Sequence, residues 1–364
     1  MRLIFLTFAM LLNTGMAIAQ VLHSSAGPAT ITRMVAGLDQ PWAIGFLPDG
    51  SFLVTQRDGV LSYVQDGSVQ RVRGVPDVVA DGQGGLLDVM IPRDFDTSRE
   101  VFLSYSKALT GGSGTALAVG ILSRNARKLN DVRVLFEMNQ GAQGGRHFGS
   151  RITEALDGTI FLTLGDRGNR PAAQDLALHN GSVVRINRDG SVPHDNPFVD
   201  QPGTRPEIFS FGHRNPQGMA LDTRGRLWTA EHGAKGGDEV NLIEKGANYG
   251  WPIISYGTHY SGEKIGEGTA RADMKQPTHY WDPSIAPSGL MIYSGKLWPR
   301  WRGNLFVGSL KFDYIARLAG DDVNEVEQLK GPETERVRDI VEAPDGSIWS
   351  FSVGNGAIYR LAPM

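Results

Sequence analysis

Cysteine is absent from all 364 residues. Disulfides and thiolate metal sites are thereby excluded, so any metal must rely on oxygen or imidazole ligands. Oxygen ligands favour calcium or magnesium. A dominant charge is also lacking: 36 Lys and Arg against 39 Asp and Glu leave a net charge of −3, and nothing in that balance suggests a nucleic-acid partner. Helical periodicity is weak, and beyond the first residues no apolar run is long enough to span a membrane. No composition break marks a linker, so residues 20–364 are expected to form one domain.

What is present begins at the N-terminus. Arg2 precedes the apolar run Leu3–Leu12, and Ala17-Ile18-Ala19 follows it. Charge, short apolar run and small-x-small site, in that order, make residues 1–19 an expected secretory signal, with the mature chain starting at Gln20 and exported.

The 46 glycines fall in tight turns between short apolar runs. A turn followed by alternating apolar residues recurs six times: PDGSFLVTQRDG from Pro48, DTSREVFLSYS from Asp96, LDGTIFLTLGDRG from Leu156, DTRGRLWTAEHG from Asp222, WRGNLFVGSL from Trp301 and PDGSIWSFSVGNG from Pro344. One such strand cannot bury both faces alone, whereas sheets packed around an axis can. The expected fold is all-β: a six-bladed β-propeller of four-stranded antiparallel sheets, with the surplus length in loops on one face. The segment Ala29–Leu38 is expected to close the ring against the last blade. A β-sandwich with an appendage is the competing architecture.

Several polar residues stand out. His147, in GGRHFGSRI, lies nineteen residues before Asp166, in LGDRG, and a strand–turn–strand would bring the two together. Such a pair suits proton abstraction, or is simply a structurally satisfied histidine. Arg214 and Asn215, in FGHRNPQG, precede a proline and so sit in a turn, offering donors to an anionic or carbonyl oxygen or capping a loop. The run EHGAKGGDEVNLIEKGANYGWP combines carboxylates with glycines that free backbone carbonyls; it is a calcium loop or a polar surface turn, and it lacks the EF-hand pattern. Arg336 and Arg338 alternate, placing them on one face if they lie in a strand, where they are solvated or hold an anion between them. Lys311, and Gln83 in a glycine-rich turn, complete the set.

In order along the chain, QPWAIGFLPDG, DGQGGLLDV, HFGSR with LGDRG, NGSVVRINRDGSVPHDNPF, FGHRNPQG, GGDEVNLIEKGANYGWP, APSGLMIYSG and RVRDI resemble the glucose/sorbosone dehydrogenase family, nearest its soluble aldose sugar dehydrogenases that use pyrroloquinoline quinone (PQQ). The resemblance implies a periplasmic oxidoreductase that converts aldoses to lactones with PQQ and Ca2+ and passes electrons to an external acceptor. It implies His147 as general base supported by Asp166, and Arg214 as a further catalytic group. Gln83, Arg214, Asn215, Tyr260, Lys311, Arg336 and Arg338 would contact the quinone. Gly233 and Ala234 would bind a catalytic calcium through carbonyls, and Glu239 and Tyr249 a structural one. Arg146 departs from the acidic residue that precedes the base in the better-known glucose enzymes, and their long loops and dimer contacts are not recognisable. A broad-range monomer is therefore expected. Two other readings of a six-bladed propeller are a calcium-dependent lactonase or esterase and a non-catalytic binding module.

Overall fold

The computed structural model describes residues 20–364; the expected signal, residues 1–19, lies outside the described residues. Six antiparallel sheets are formed, five of them with four strands. Blade one holds Pro41–Phe46, Phe52–Gln56, Val60–Gln65 and Ser68–Val72, and blade two runs from Leu86–Met90 to Leu129–Glu137. Blade three runs from Ile152–Glu154 to Ile208–Phe211, blade four from Pro216–Leu221 to His279–Trp281, and blade five from Pro287–Ile292 to Asn324–Leu329. Blade six begins with Val337–Glu342, Ile348–Ser352 and Ala357–Pro363.

Ring closure comes from the N-terminal segment, as expected for Ala29–Leu38. Gly27–Val35 pairs antiparallel with Ala357–Pro363. One detail differs from expectation: Gln20–Ser24 folds back on Gly27–Val35, so blade six has five strands rather than four.

All six sequence repeats span the hairpin between the first and second strands of a blade. In three of them the aspartate caps its own turn. Asp49 accepts from Ser51, Asp157 from Thr159 and Asp345 from Ser347, through both backbone N–H and hydroxyl. The intervening Gly50, Gly158 and Gly346 take φ of 83°, 86° and 87°, the left-handed region that disfavours side chains.

The strand that follows each turn is buried on both faces, because its alternate residues feed different interfaces. Val101 and Leu103 pack toward blade one, while Phe102 between them packs toward blade three. Phe306 packs toward blade six, while Leu305 and Val307 pack toward blade four. The apolar core is thus divided into clusters between neighbouring blades, which is why a period-two pattern with both phases apolar reads through the chain.

The innermost strands meet at Arg151. Its guanidinium pairs with Asp88 of blade two at 3.0 Å and Asp339 of blade six at 3.1 Å, donates to the Gln217 carbonyl of blade four at 3.0 Å, and lies 4.5 Å from the Trp42 ring of blade one. One side chain thereby bridges five blades and plugs the axis. Burial pushes the Asp88 carboxyl up to about 6, against the opposing pull of Arg151.

The surplus sequence is not confined to one face. Residues 187–207 stay at the end of the repeat turns, where Arg188 pairs with Asp94 and Glu100 and Arg185 joins Asp195 to Asp157, while most of the remainder lies at the opposite end. Residues 244–278 leave the third strand of blade four and climb beside Ile208–Phe211, with Gly246 and Tyr249 donating to the carbonyls of Phe209 and Phe211. They then spread over the open end of the propeller.

Candidate active site

Above the Arg151 plug, loops from that open end enclose a cleft of about 920 Å³. Ten of the residues singled out from sequence line it: Gln83, His147, Arg214, Asn215, Gly233, Ala234, Tyr260, Lys311, Arg336 and Arg338. Most come from blade-to-blade connections and from loops between second and third strands, Tyr260 comes from the excursion 244–278 and Arg338 from the strand Val337–Glu342, and ring closure makes these converge.

His147 and Asp166 meet across the first hairpin of blade three, with Nδ1 2.6 Å from Oδ1. A carboxylate only accepts, so Nδ1 carries the proton and Nε2 is left with a lone pair. His147 sits at φ 56°, and its backbone N–H donates to Gln83 Oε1 at 2.8 Å. A Cβ on Gly165 would strike the carbonyl of His147, so the chain beneath the imidazole must be glycine. Asp166 is fully buried behind the ring and does not line the cleft. Burial lowers the His147 pKa below its ordinary value, opposed by the hydrogen bond to Asp166 and aided by the Arg214 charge. Burial pushes Asp166 upward, but His147 and the Gly168 N–H outweigh it and hold the carboxyl below its usual range.

The facing wall is cationic. Arg338, half-buried, donates to Gln217 Oε1 at 2.7 Å and is pushed down to about 9 by desolvation and by the charges of Arg151, Arg336 and Arg57. Arg336 donates to the Leu310 carbonyl, and Lys311 lies over the Phe312 ring. Asp282, Asp313 and Glu335 also line the cleft, yet none is ion-paired with these three cations. Arg214 stacks toward Trp251 and leaves a buried Nε without a partner. Such a wall is short of anionic oxygens, and a ligand bearing several carboxylates fits it.

One expectation fails in its reasoning. Arg336 lies before the strand Val337–Glu342, with φ 50°, so strand alternation does not align it with Arg338. A left-handed turn brings it to the same cleft instead.

Glu239 and Tyr249 are not in the cleft. They border a small chamber beside it, shared with Glu231, Gly233 and Trp251. Glu231 and Glu239 accept from the same Asn241 amide, at 3.0 and 3.1 Å. Burial and the neighbouring Glu231 charge push the Glu239 carboxyl well up. A cation there would relieve both effects. The Tyr249 hydroxyl donates to the Leu242 carbonyl and accepts from Glu244 N–H, so only its backbone carbonyl remains for a metal. Among the described residues no three or more His, Cys, Asp or Glu side chains cluster as a metal set, so backbone oxygens must complete any calcium site. The loop at Gly233 is packed for this: a Cβ on Gly233 would overlap the carbonyl oxygens of Gly236 and Gly237.

Gln217, His232, Trp42 and Arg57 also line the cleft and were not singled out. The first three lie inside FGHRNPQG, EHG and QPWAIGF, so the motifs contained them, but nothing local marks their orientation. Half-buried His232 has its pKa lowered well below the ordinary value, chiefly by desolvation and then by the charges of Arg214 and Arg338.

Fold and cleft together define a β-propeller protein with an axial cleft that sets a cationic wall beside a histidine–carboxylate pair. The chain belongs to the glucose/sorbosone dehydrogenase family of oxidoreductases, whose description matches residues 38–360. It is 41% identical over 350 residues to the aldose sugar dehydrogenase YliI of Escherichia coli, covering 93% of this chain and 94% of that protein. The apo crystal structure of the soluble E. coli aldose sugar dehydrogenase superposes with a TM-score of 0.88 at 40% identity, covering 92% of this chain and all of that one. The PQQ-bound aldose sugar dehydrogenase of Streptomyces coelicolor, 24% identical with a TM-score of 0.77 over 92% of this chain and 98% of that one, shares the fold. Among the described residues no helix is long and apolar enough to cross a membrane.

Proposed function

We propose that the protein oxidises aldoses at C1 to lactones, with PQQ and calcium bound in the axial cleft and His147 as base. The observation that carries this reading is the placement of the His147–Asp166 pair opposite three cations that lack carboxylate partners. Bound PQQ would supply a two-electron quinone acceptor, and calcium would polarise its carbonyl.

The chain's own residues divide the remaining work. Lys311, Arg336 and Arg338 would hold the cofactor carboxylates, and Gln83, Asn215 and Tyr260 would border its rings. Carbonyls of Gly233 and Ala234 would hold the catalytic calcium, and the chamber of Glu239 and Tyr249 the structural one. Nε2 of His147 takes the proton of the anomeric hydroxyl as the C1 hydrogen leaves with its electron pair and the C1–O bond becomes a carbonyl. Asp166 keeps the imidazole in the required tautomer and stabilises its charged form. Arg214 presents donors where negative charge develops.

The lactonase alternative needs acidic side chains open to a central metal. On this axis the acids Asp88 and Asp339 are already ion-paired with Arg151. We place the enzyme in the periplasm as a monomer, reached through residues 1–19; N-terminal sequencing of the exported protein and light scattering check both points.

Reconstitution with PQQ and calcium, followed by assay of aldoses with an artificial acceptor, tests the proposal. His147→Ala should lower kcat by about 10²- to 10⁴-fold. Lack of oxidation with every aldose would overturn the reading.

A further inference from the structure

We infer that Trp251 is a positioning residue for the base: its indole fixes which oxygen of Asp166 faces His147 and how strongly that carboxylate pulls. This rests on the role proposed for His147. Trp251 Nε1 donates to Asp166 Oδ2 at 2.8 Å across 85 residues of sequence. The other oxygen, Oδ1, accepts from His147 Nδ1 at 2.6 Å and from Gly168 N–H at 2.7 Å. Both oxygens of this fully buried carboxylate are therefore committed, and rotation about its Cβ–Cγ bond would break all three bonds.

The indole is itself held firmly. The guanidiniums of Arg214 and Arg170 lie 5.4 and 5.5 Å from its ring, and its backbone N–H donates to the Gly212 carbonyl at 2.9 Å. The Trp251 carbonyl accepts from Gln174 at 2.8 Å. Trp251 does not line the main cleft, so it acts on the site through the groups it touches: Asp166 by its hydrogen bond and Arg214 by ring contact. It does line the chamber bordered by Glu239, so the support of the base and the wall of that chamber are one side chain.

The electrostatic consequence has a definite sign. A hydrogen bond to Oδ2 stabilises the ionised carboxylate and withdraws charge from Oδ1. Without it Asp166 becomes more basic and more strongly attracts the Nδ1 proton, so the His147 pKa rises. At the same time the carboxylate gains freedom to turn, and the imidazole loses its fixed orientation.

The experiment compares wild type with Trp251→Phe and Trp251→Leu. The first readout uses the metal- and cofactor-free full chain: nitrogen-15 NMR titration of His147, identified by its loss in His147→Ala. The expected result for Trp251→Phe is a His147 pKa raised by half a unit or more. The second readout is the reconstituted enzyme, where kcat should fall about tenfold or more with KM for glucose within twofold. Trp251→Leu, which also removes the ring, should shift the His147 pKa in the same direction. An unmoved His147 titration in both variants overturns the inference, whatever the activity. A shifted titration with unchanged kcat sustains the link to Asp166 while refuting His147 as the base, so the two readings fail separately.

Discussion

Arg338 and Gln217, 121 residues apart, are joined by a 2.7 Å hydrogen bond from Nη1 to Oε1, and among the described residues that neutral amide is the only side-chain acceptor of a half-buried guanidinium facing the cleft. Burial and three neighbouring arginines disfavour its charge, so the ligand-free protein holds it at a cost. Arg338→Met should raise the melting temperature of the apo-protein while weakening PQQ binding at least tenfold by calorimetry. A lower melting temperature with unchanged PQQ affinity would contradict this account.

Activity should depend on pH through His147. A base works only when neutral, and burial sets its pKa below the ordinary 6.5, with Asp166 pulling the other way. The rate should therefore be flat through neutrality and fall as pH drops through a value below 6.5. Asp166→Asn removes the opposing pull, so its acid limb should lie lower still while kcat drops about a hundredfold or more. Profiles of kcat/KM against pH for both proteins check the two signs.

The axial plug makes a stability prediction. Asp88→Ala leaves Arg151 buried with half its charge compensation, and breaking such a pair costs about 3–5 kcal/mol. Urea denaturation should register that loss. A change below ~1 kcal/mol would mean that Asp339 alone suffices.

Chelation should expose the chamber. With calcium removed, Glu239 has a folded-state pKa above its unfolded value, because burial and Glu231 disfavour its charge. The folded state then binds more protons than the unfolded one, so stability falls as pH rises above the ordinary carboxylate range. Glu239→Gln should flatten that slope, raise the melting temperature of chelated protein near neutral pH, and abolish most of the gain on adding calcium.

Much of this was legible in the chain. The six repeats marked the same hairpin in every blade, because a turn followed by a run of apolar residues is written in consecutive positions, and in three of them an aspartate bonded to the next residues and a Gly at positive φ sharpen the signal. The closing strand was legible because Ala29–Val35 carries strand alternation with no sheet of its own nearby. The pairing of His147 with Asp166 was also local, needing only one hairpin. The extra strand Gln20–Ser24 was missed, since a short edge strand with one buried face carries too little pattern.

What the sequence by itself determined was the repeat, the all-β class and an inventory of competent residues in order, since turn chemistry and period-two burial act over a few residues. Tertiary structure decided which of them meet. Trp251 reaches Asp166, Gln217 reaches Arg338 and Arg151 reaches Asp339 only because six blades close into a ring and bring their loops to one axis. It also decided that the Tyr249 hydroxyl is used up in its own turn, and that Arg336 enters the cleft through a left-handed residue rather than a strand. Local pattern fixes where a side chain leaves the backbone; which charges it must share a dry cavity with is set by ring closure.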